Sequence, residues 1–512
     1  MKNIKLHGIV AVVAGAWLIG ATPIVMADTT DDLLKALIAK GVLTEEEAAP
    51  LMKGHEVETQ KNPNEIKASF KDGITFESAD HQNSFSVNGR VQADYHYYAK
   101  QDAQNTDTWD IRRAYLSAKG KFYNDYDFKV QADFAQGQNG NSNDQLDEAY
   151  FGINWWDQAK FRFGQFDMPF GLEHYTSDLF LDFAERGLTE ALVPTKERGA
   201  MVFGVPFKGT YYALAVNNGR GKNANNVDNQ IDGVEVLGRV TANLAEIFGQ
   251  DGAVYHIGGD ISHANISPNQ KFSNGVLANN AFLVGYGNAA PQTEGRGITF
   301  FVPGSLSVPA NQSVERNRYG LEGAVAYGPV KLQSEWMKHN YSGNNTAIAA
   351  SAGLPAVKAG SFDNDITAWY ASLNWAITGE TWADSYKNGV WGRIKPKSDF
   401  VHPSAGYGTG AWIIGLRYSD YDAGDFATGP GRVSKSAVGT ATAASPTTPT
   451  GAHAWTGGIM WILNPNTRFL LDYTYTKFEG GVITFTNNQT PGTKLDQTDS
   501  ENALTLRGQF DF

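Results

Sequence analysis

The chain has 512 residues, with 42 Lys and Arg against 54 Asp and Glu, giving a formal net charge of −12 at pH 7. It has no Cys, which excludes a disulfide framework and thiolate chemistry. Its 55 Gly, 12 Trp, 22 Tyr and 28 Phe at a mean hydropathy of −0.35 describe a chain rich in aromatics yet polar on average, which suits strands with one apolar face.

Lys2 and Lys5 precede an apolar run over residues 8–20, and Val25-Met26-Ala27 supplies small residues for cleavage before Asp28. The run is too short for a spanning helix, so residues 1–27 are read as a signal peptide. Residues 28–62 then form a short helical periplasmic segment. Leu33, Leu34, Leu37 and Ile38 share one face, Gly41 stops that helix, and Thr44 with Glu47 makes a capping box for a second. A flexible tether and an oligomerising element both remain open for it. No later stretch reaches the roughly 18 consecutive apolar residues a spanning helix needs. An exported chain that enters a bilayer without such a helix does so as a closed barrel, and residues 63–512 are assigned to one.

From Ser84 onward sixteen segments alternate apolar and polar residues, starting near Ser84, Asp110, Asp127, Leu146, Lys160, Gly199, Thr210, Gly233, Val254, Arg316, Val330, Asp365, Ala411, Thr456, Arg468 and Asn502. The last runs to an aromatic, with Leu504, Leu506, Phe510 and Phe512 on one face and Thr505, Arg507, Gln509 and Asp511 on the other. Such a strand is expected to close a barrel. The fold class is therefore all-β: a sixteen-stranded antiparallel transmembrane β-barrel behind a short N-terminal helical segment. With the N-terminus periplasmic, even strands should be followed by short turns and odd strands by longer outer loops. Asn124-Asp125-Tyr126, Gly328-Pro329 and Asn464-Pro465-Asn466 fit the first, and residues 169–198, 265–315 and 422–454 fit the second. One long connection, 378–410, falls on the turn side. It carries Lys387, Arg393, Lys395 and Lys397 among Trp382, Tyr386 and Trp391, either as a solvated basic loop or as an inward-folded exit.

Alternation also sorts side chains between lipid and lumen. Arg90, Gln92, Asp94 and His96 oppose Val91, Ala93, Tyr95 and Tyr97, while Arg113, Lys119 and Lys121 oppose Ala114, Leu116 and Phe122. Lys129, Arg162, Arg239, Arg316, Arg318, Lys331, Arg417, Arg468 and Arg507 are placed inside by the same rule, because a charge on the lipid face costs roughly 2–4 kcal/mol at midplane. Lumen acids are fewer: Asp94, Asp133, Glu148, Glu235, Glu322, Glu335, Asp472 and Asp511. A cationic inner wall in an acidic protein points to anion passage; cross-strand ion pairing is the competing use of the same charges.

Arg112-Arg113-Ala114, Asp147-Glu148-Ala149-Tyr150, the run from Gly164 to Glu173, Thr176-Ser177, Glu185-Arg186 and Leu463-Asn464-Pro465-Asn466 resemble the phosphate-selective porin O/P family. The resemblance implies a homotrimeric outer-membrane porin with an arginine-lined pore for phosphate or related anions, narrowed by an inward third loop. It also implies that Arg90, Arg112 and Arg113 are constriction arginines. Asp147 becomes a constriction aspartate, and Thr176 and Ser177 fall on the anion-binding loop. Lys119, Lys121, Lys129, Arg162, Arg239, Arg316, Arg318 and Arg417 are read as further basic pore lining. Alternation sets Arg112 and Arg113 on opposite faces, so both reach the pore only across a bulge or if Arg112 lies beyond the lipid band. Where phosphate-binding members carry a lysine before the Thr-Ser, this chain has Glu173-His174-Tyr175, followed by Asp178. That substitution favours general anion preference, or another small solute, over strict phosphate selectivity.

No cofactor or metal is expected. The chain has no Gly-x-Ser-x-Gly, its His residues lack metal-ligand spacing, and no basic, aromatic-interleaved patch suits nucleic acid. The expected partners are small anions, outer-membrane lipid and further copies of the chain. A structural barrel or adhesin, with a plugged lumen and working loops, is the alternative.

Overall fold

A computed structural model describes residues 38, 40, 44, 66–70, 73–99, 107–135, 145–219, 221–222, 234–266, 272–273, 276–277, 280–283, 291–301, 305–309, 312–350, 356–400, 407–432, 448–486 and 495–512. The chain divides into two units, Met1–Lys67 with Ser78–His81, and Ala68–Glu77 with Gln82–Phe512. In the first, a turn is closed by His81 N donating to Ser78 O at 2.9 Å. The expectations for residues 1–27 and 28–62 lie outside the described residues, apart from Ile38, Lys40 and Thr44.

The second unit is a closed antiparallel barrel. Its strands are β1 (Ser84–Tyr98), β2 (Thr108–Phe122), β3 (Tyr126–Asp133), β4 (Leu146–Trp156), β5 (Ala159–Asp167), β6 (Lys196–Gly204), β7 (Thr210–Asn217), β8 (Glu235–Asn243), β9 (Ala253–Ile266), β10 (Val314–Tyr327), β11 (Val330–Asn345), β12 (Gly360–Ala376), β13 (Ala411–Asp422), β14 (Gly451–Asn464), β15 (Thr467–Glu479) and β16 (Ser500–Asp511). Each pairs with the next, and β16 pairs with β1 from Ala503↔Tyr98 to Asp511↔Arg90, so no wall edge is left open. All sixteen expected segments are strands. Several begin earlier than alternation alone marked, β6 at Lys196 rather than Gly199, β12 at Gly360 rather than Asp365 and β14 at Gly451 rather than Thr456.

The two faces separate by chemistry. On β10, Arg316, Arg318 and Glu322 are buried, while Tyr319, Leu321 and Val325 are exposed, with Leu321 at 61%. The outward set of Val91, Leu116, Val130, Leu214, Val240, Ile261, Leu373, Leu416, Ile459 and Leu471 continues that apolar band around the wall. A water-soluble barrel would bury such residues, and this one presents them outward as a lipid-facing surface does. Tyr126, Trp155, Trp156, Phe207, Phe248, Tyr327 and Trp375 are exposed at or beside the short turns, where an aromatic girdle belongs.

Three segments between strands turn into the lumen. Residues 168–195 bury Phe170, Leu172, Phe183, Leu188 and Leu192; residues 291–301 bury Ile298, Phe300 and Phe301; residues 377–400 bury Trp382 and Trp391. The last is the long turn-side connection, so it is the inward-folded form that is present. Its hairpin, Tyr386–Lys387 with Val390–Trp391, is tied to the first segment by Trp391 N donating to Thr176 Oγ1 at 3.2 Å and to the wall by Trp391 Nε1 donating to Gln333 at 2.7 Å. Together they fill one side of the barrel and leave the side of β1–β6 open.

Candidate functional site

The open side is a cavity of about 2020 Å³ whose lining includes Arg90, Arg112, Arg113, Lys119, Lys129, Asp147, Arg162, Thr176 and Ser177. Two β-bulges make that lining possible. Gln92 pairs with Arg113 and Ala93 with Ile111, which leaves Arg112 as the extra residue on β2. The bulge breaks the alternation, so adjacent arginines both face the lumen. On β4 the same device acts at Asp147: Gln131 pairs with Glu148 and Ala132 with Leu146, and neighbouring carboxylates both turn inward. Asp147 accepts from Gln131 Nε2 at 2.6 Å and lies 3.5 Å from Lys196 and 3.6 Å from Lys222; Glu148 pairs with Lys129 at 2.9 Å.

The inward segment 168–195 brings its own acids to these arginines. It leaves β5 and turns at Gly171, whose φ of +75° lies in the left-handed region that favours glycine. Asp178 then sits between two guanidiniums, hydrogen-bonded to Arg90 through one oxygen and 2.5 Å from Arg113 Nε through the other. Arg113 also donates to Gln92 Oε1 at 2.8 Å, and Arg90 lies 4.0 Å from the centre of the Tyr115 ring. Further along, Glu185 accepts a bidentate fork from Arg112 at 2.7 and 3.1 Å and a third bond from Arg507 at 2.6 Å. Burial pushes the Asp178 carboxyl up, but Arg90 and Arg113 outweigh it and hold it well below the usual carboxylate range. Burial is likewise outweighed at Glu185 by Arg112 and Arg507. Both carboxylates are therefore charged at neutral pH.

Ser177 is exposed in the cavity, its Oγ accepting from Leu179 N at 3.3 Å, so its proton is left to donate. Thr176 is buried, and its hydroxyl holds the hairpin at Trp391. His174 is buried and does not line the cavity; its ring lies 3.0 Å from Glu190, which does. Five expected lining residues are elsewhere. Lys121 is exposed at the turn end of β2 and does not line the cavity. Arg239, Arg316, Arg318 and Arg417 do face inward, but on the filled side. Arg239 is closed onto Glu322 at 2.7 Å, Arg316 and Arg318 onto Glu235, and Arg417 onto Glu294 at 2.7 Å and Glu173 at 3.1 Å. Alternation fixes the face of the wall; it does not say which part of the lumen another segment occupies.

The cavity also holds Arg186, Lys196 and Lys222, which the alternation did not single out, and Arg393 and Lys395 of the turn-side segment, two of the cations the sequence places on that basic connection. Arg186 donates to the carbonyls of Glu173, His174 and Thr176 at 3.0–3.2 Å, holding the inward turn together. Lys196 was missed because its strand begins three residues before the clear alternation. In all, eleven basic side chains line the cavity against six acidic ones among the described residues.

A closed sixteen-stranded wall with an apolar outside, a polar lumen and inward segments that narrow it defines a porin-type channel of the bacterial outer membrane. The family model described as phosphate-selective porin O and P matches residues 85–512, and the chain belongs to that family. It is 24% identical to Porin O of Pseudomonas aeruginosa over 437 residues, 84% of this chain and 90% of that protein. Among solved structures it resembles an anion-selective porin from Comamonas acidovorans, with a TM-score of 0.47 at 10% identity, covering 84% of this chain and all of that one. It also resembles OmpT of Vibrio cholerae, with a TM-score of 0.44 at 12% identity, covering 84% and 98%.

Proposed function

We propose that the protein is a passive porin that prefers small anions, phosphate among them, without retaining phosphate tightly. In this reading residues 1–27 are removed on export and the barrel works as a homotrimer in outer-membrane lipid. The observation that carries the reading is the cavity's excess of basic over acidic lining, eleven against six, in a chain whose net charge is −12. A wall of that sign raises the local concentration of anions and lowers that of cations. Arg90, Arg112, Arg113, Asp147, Thr176 and Ser177 form the narrow region, and Lys119, Lys129 and Arg162 line its approach. Arginine forks match oxyanions, and acids between them keep the anion from binding too tightly to leave.

The test is a planar-bilayer recording of the folded protein across a KCl gradient. The expected reversal potential has the sign set by chloride. A cation-selective sign, or near-zero conductance of folded protein, would overturn the reading, the latter in favour of a structural barrel.

A further inference from the structure

The two arginines that a passing oxyanion would meet at the narrow region already hold an anion. Asp178 gives one carboxylate oxygen to Arg90 and the other to Arg113, and its backbone carbonyl accepts from Gln92 Nε2 at 3.3 Å and Arg468 Nη2 at 3.4 Å. The carboxylate spans two guanidiniums as a phosphate group would. It does so at the cavity surface, with 12% of its side chain exposed, beside the open hydroxyl of Ser177. Neither arginine has another carboxylate partner among the described residues. Asp178 is thus the counter-ion of both.

We propose that Asp178 is a resident anion that closes the Arg90–Arg113 seat, so that a free oxyanion of the phosphate class occupies it only by displacing this side chain. Asp178 is a specificity-determining residue in this view. A ligand tethered to its site acts at an effective concentration in the millimolar range or above, so a free competitor sees its affinity reduced by the fraction of time the seat is vacant. The consequence is a pore that lets oxyanions pass with little residence, and it rests on the anion-porin reading above.

The experiment compares wild type, Asp178→Asn, Asp178→Ser, Asp178→Glu and Glu148→Gln as full-length folded protein in planar bilayers. Chloride current is measured while potassium phosphate is titrated. Both neutral variants at 178 should lower the half-blocking phosphate concentration at least about tenfold, and Asp178→Glu should stay near wild type. Glu148→Gln removes the same charge from the cavity without touching Arg90 or Arg113, so it should shift block far less. Block in wild type as strong as in Asp178→Asn would overturn the proposal, as would no change in either neutral variant or an equal effect of Glu148→Gln. The reversal potential of wild type, read in the same cell, reports the anion-porin reading separately. A cation-selective pore whose Asp178→Asn variant still gains phosphate block would retain the seat and lose the broader function.

Discussion

Arg162 is the one guanidinium lining the cavity with no carboxylate partner among the described residues: Arg90 and Arg113 hold Asp178, Arg112 holds Glu185, Arg186 faces Glu190 and Arg393 holds Asp511. It lies 4.1 Å from the Tyr150 ring centre and 5.0 Å from that of Phe203, so aromatic faces rather than an acid position it. Its charge reaches the solute path unneutralised. A unit charge about 10 Å from an ion in water-like surroundings is worth roughly 0.4 kcal/mol, favourable to chloride and unfavourable to potassium. Arg162→Ala should therefore lower the chloride-to-potassium permeability ratio roughly two- to fourfold, while Lys121→Ala, outside the cavity, should leave it within error. Equal shifts from the two would show that total charge, not placement, sets selectivity. The sequence made both residues look alike, since each occupies an inward slot by alternation. What separates them is depth along the strand and the path of the inward segment, and neither is written in a two-residue period. Asp178 was likewise legible as a negative charge near the site, but not as the shared partner of arginines 65 and 88 positions away in the chain.

At the scale of elements, alternation and connection lengths carried the barrel because both follow from local geometry: pleat sets the faces, and turn length sets which end is which. The bulge at Arg112 was legible only as one of two ways to bring adjacent arginines to the pore, and the one at Asp147 not at all, since an extra residue exists only relative to the strand it pairs with. Segment 291–301 was invisible as an inward element; Ile298, Phe300 and Phe301 are buried by the lumen rather than by any periodicity of their own. The turn-side hairpin was legible as a basic, aromatic connection of unusual length, and its packing explains why it stays inside. Trp391 is buried edge-on to Trp382 at 6.0 Å and to Tyr386 at 5.0 Å, and lies 4.5 Å from the Lys331 ammonium. Truncating a buried Trp costs about 3–5 kcal/mol, enough to release a two-strand hairpin but not the sixteen strand pairings around it. Trp391→Ala should give a folded barrel of higher and noisier single-channel conductance. Conductance equal to wild type would mean that this hairpin does not narrow the path.

For the whole molecule, charge is sorted by place. The chain carries −12 in total, yet its cavity wall is predominantly basic. Most of the lining arginines are already paired with carboxylates, so few seats remain where an anion would make lasting direct contacts. What remains is the summed field of a wall with more cations than anions, acting across water. Such a field is screened over a Debye length of about 8 Å at physiological salt and about 3 Å at 1 M. A binding seat in which guanidiniums touch the anion is screened much less. The two origins of selectivity therefore separate by ionic strength. At a fixed ratio of KCl across the bilayer, raising the mean concentration from 0.1 to 1 M should move the wild-type reversal potential toward zero, because chloride is favoured by the field alone. A reversal potential that holds its value through 1 M would show instead that contact binding dominates, and that a vacant arginine seat exists where the Asp178 carboxylate now lies. In the Asp178→Asn variant, where such a seat is opened, the potential should resist salt more than in wild type, since part of its selectivity would then come from contact.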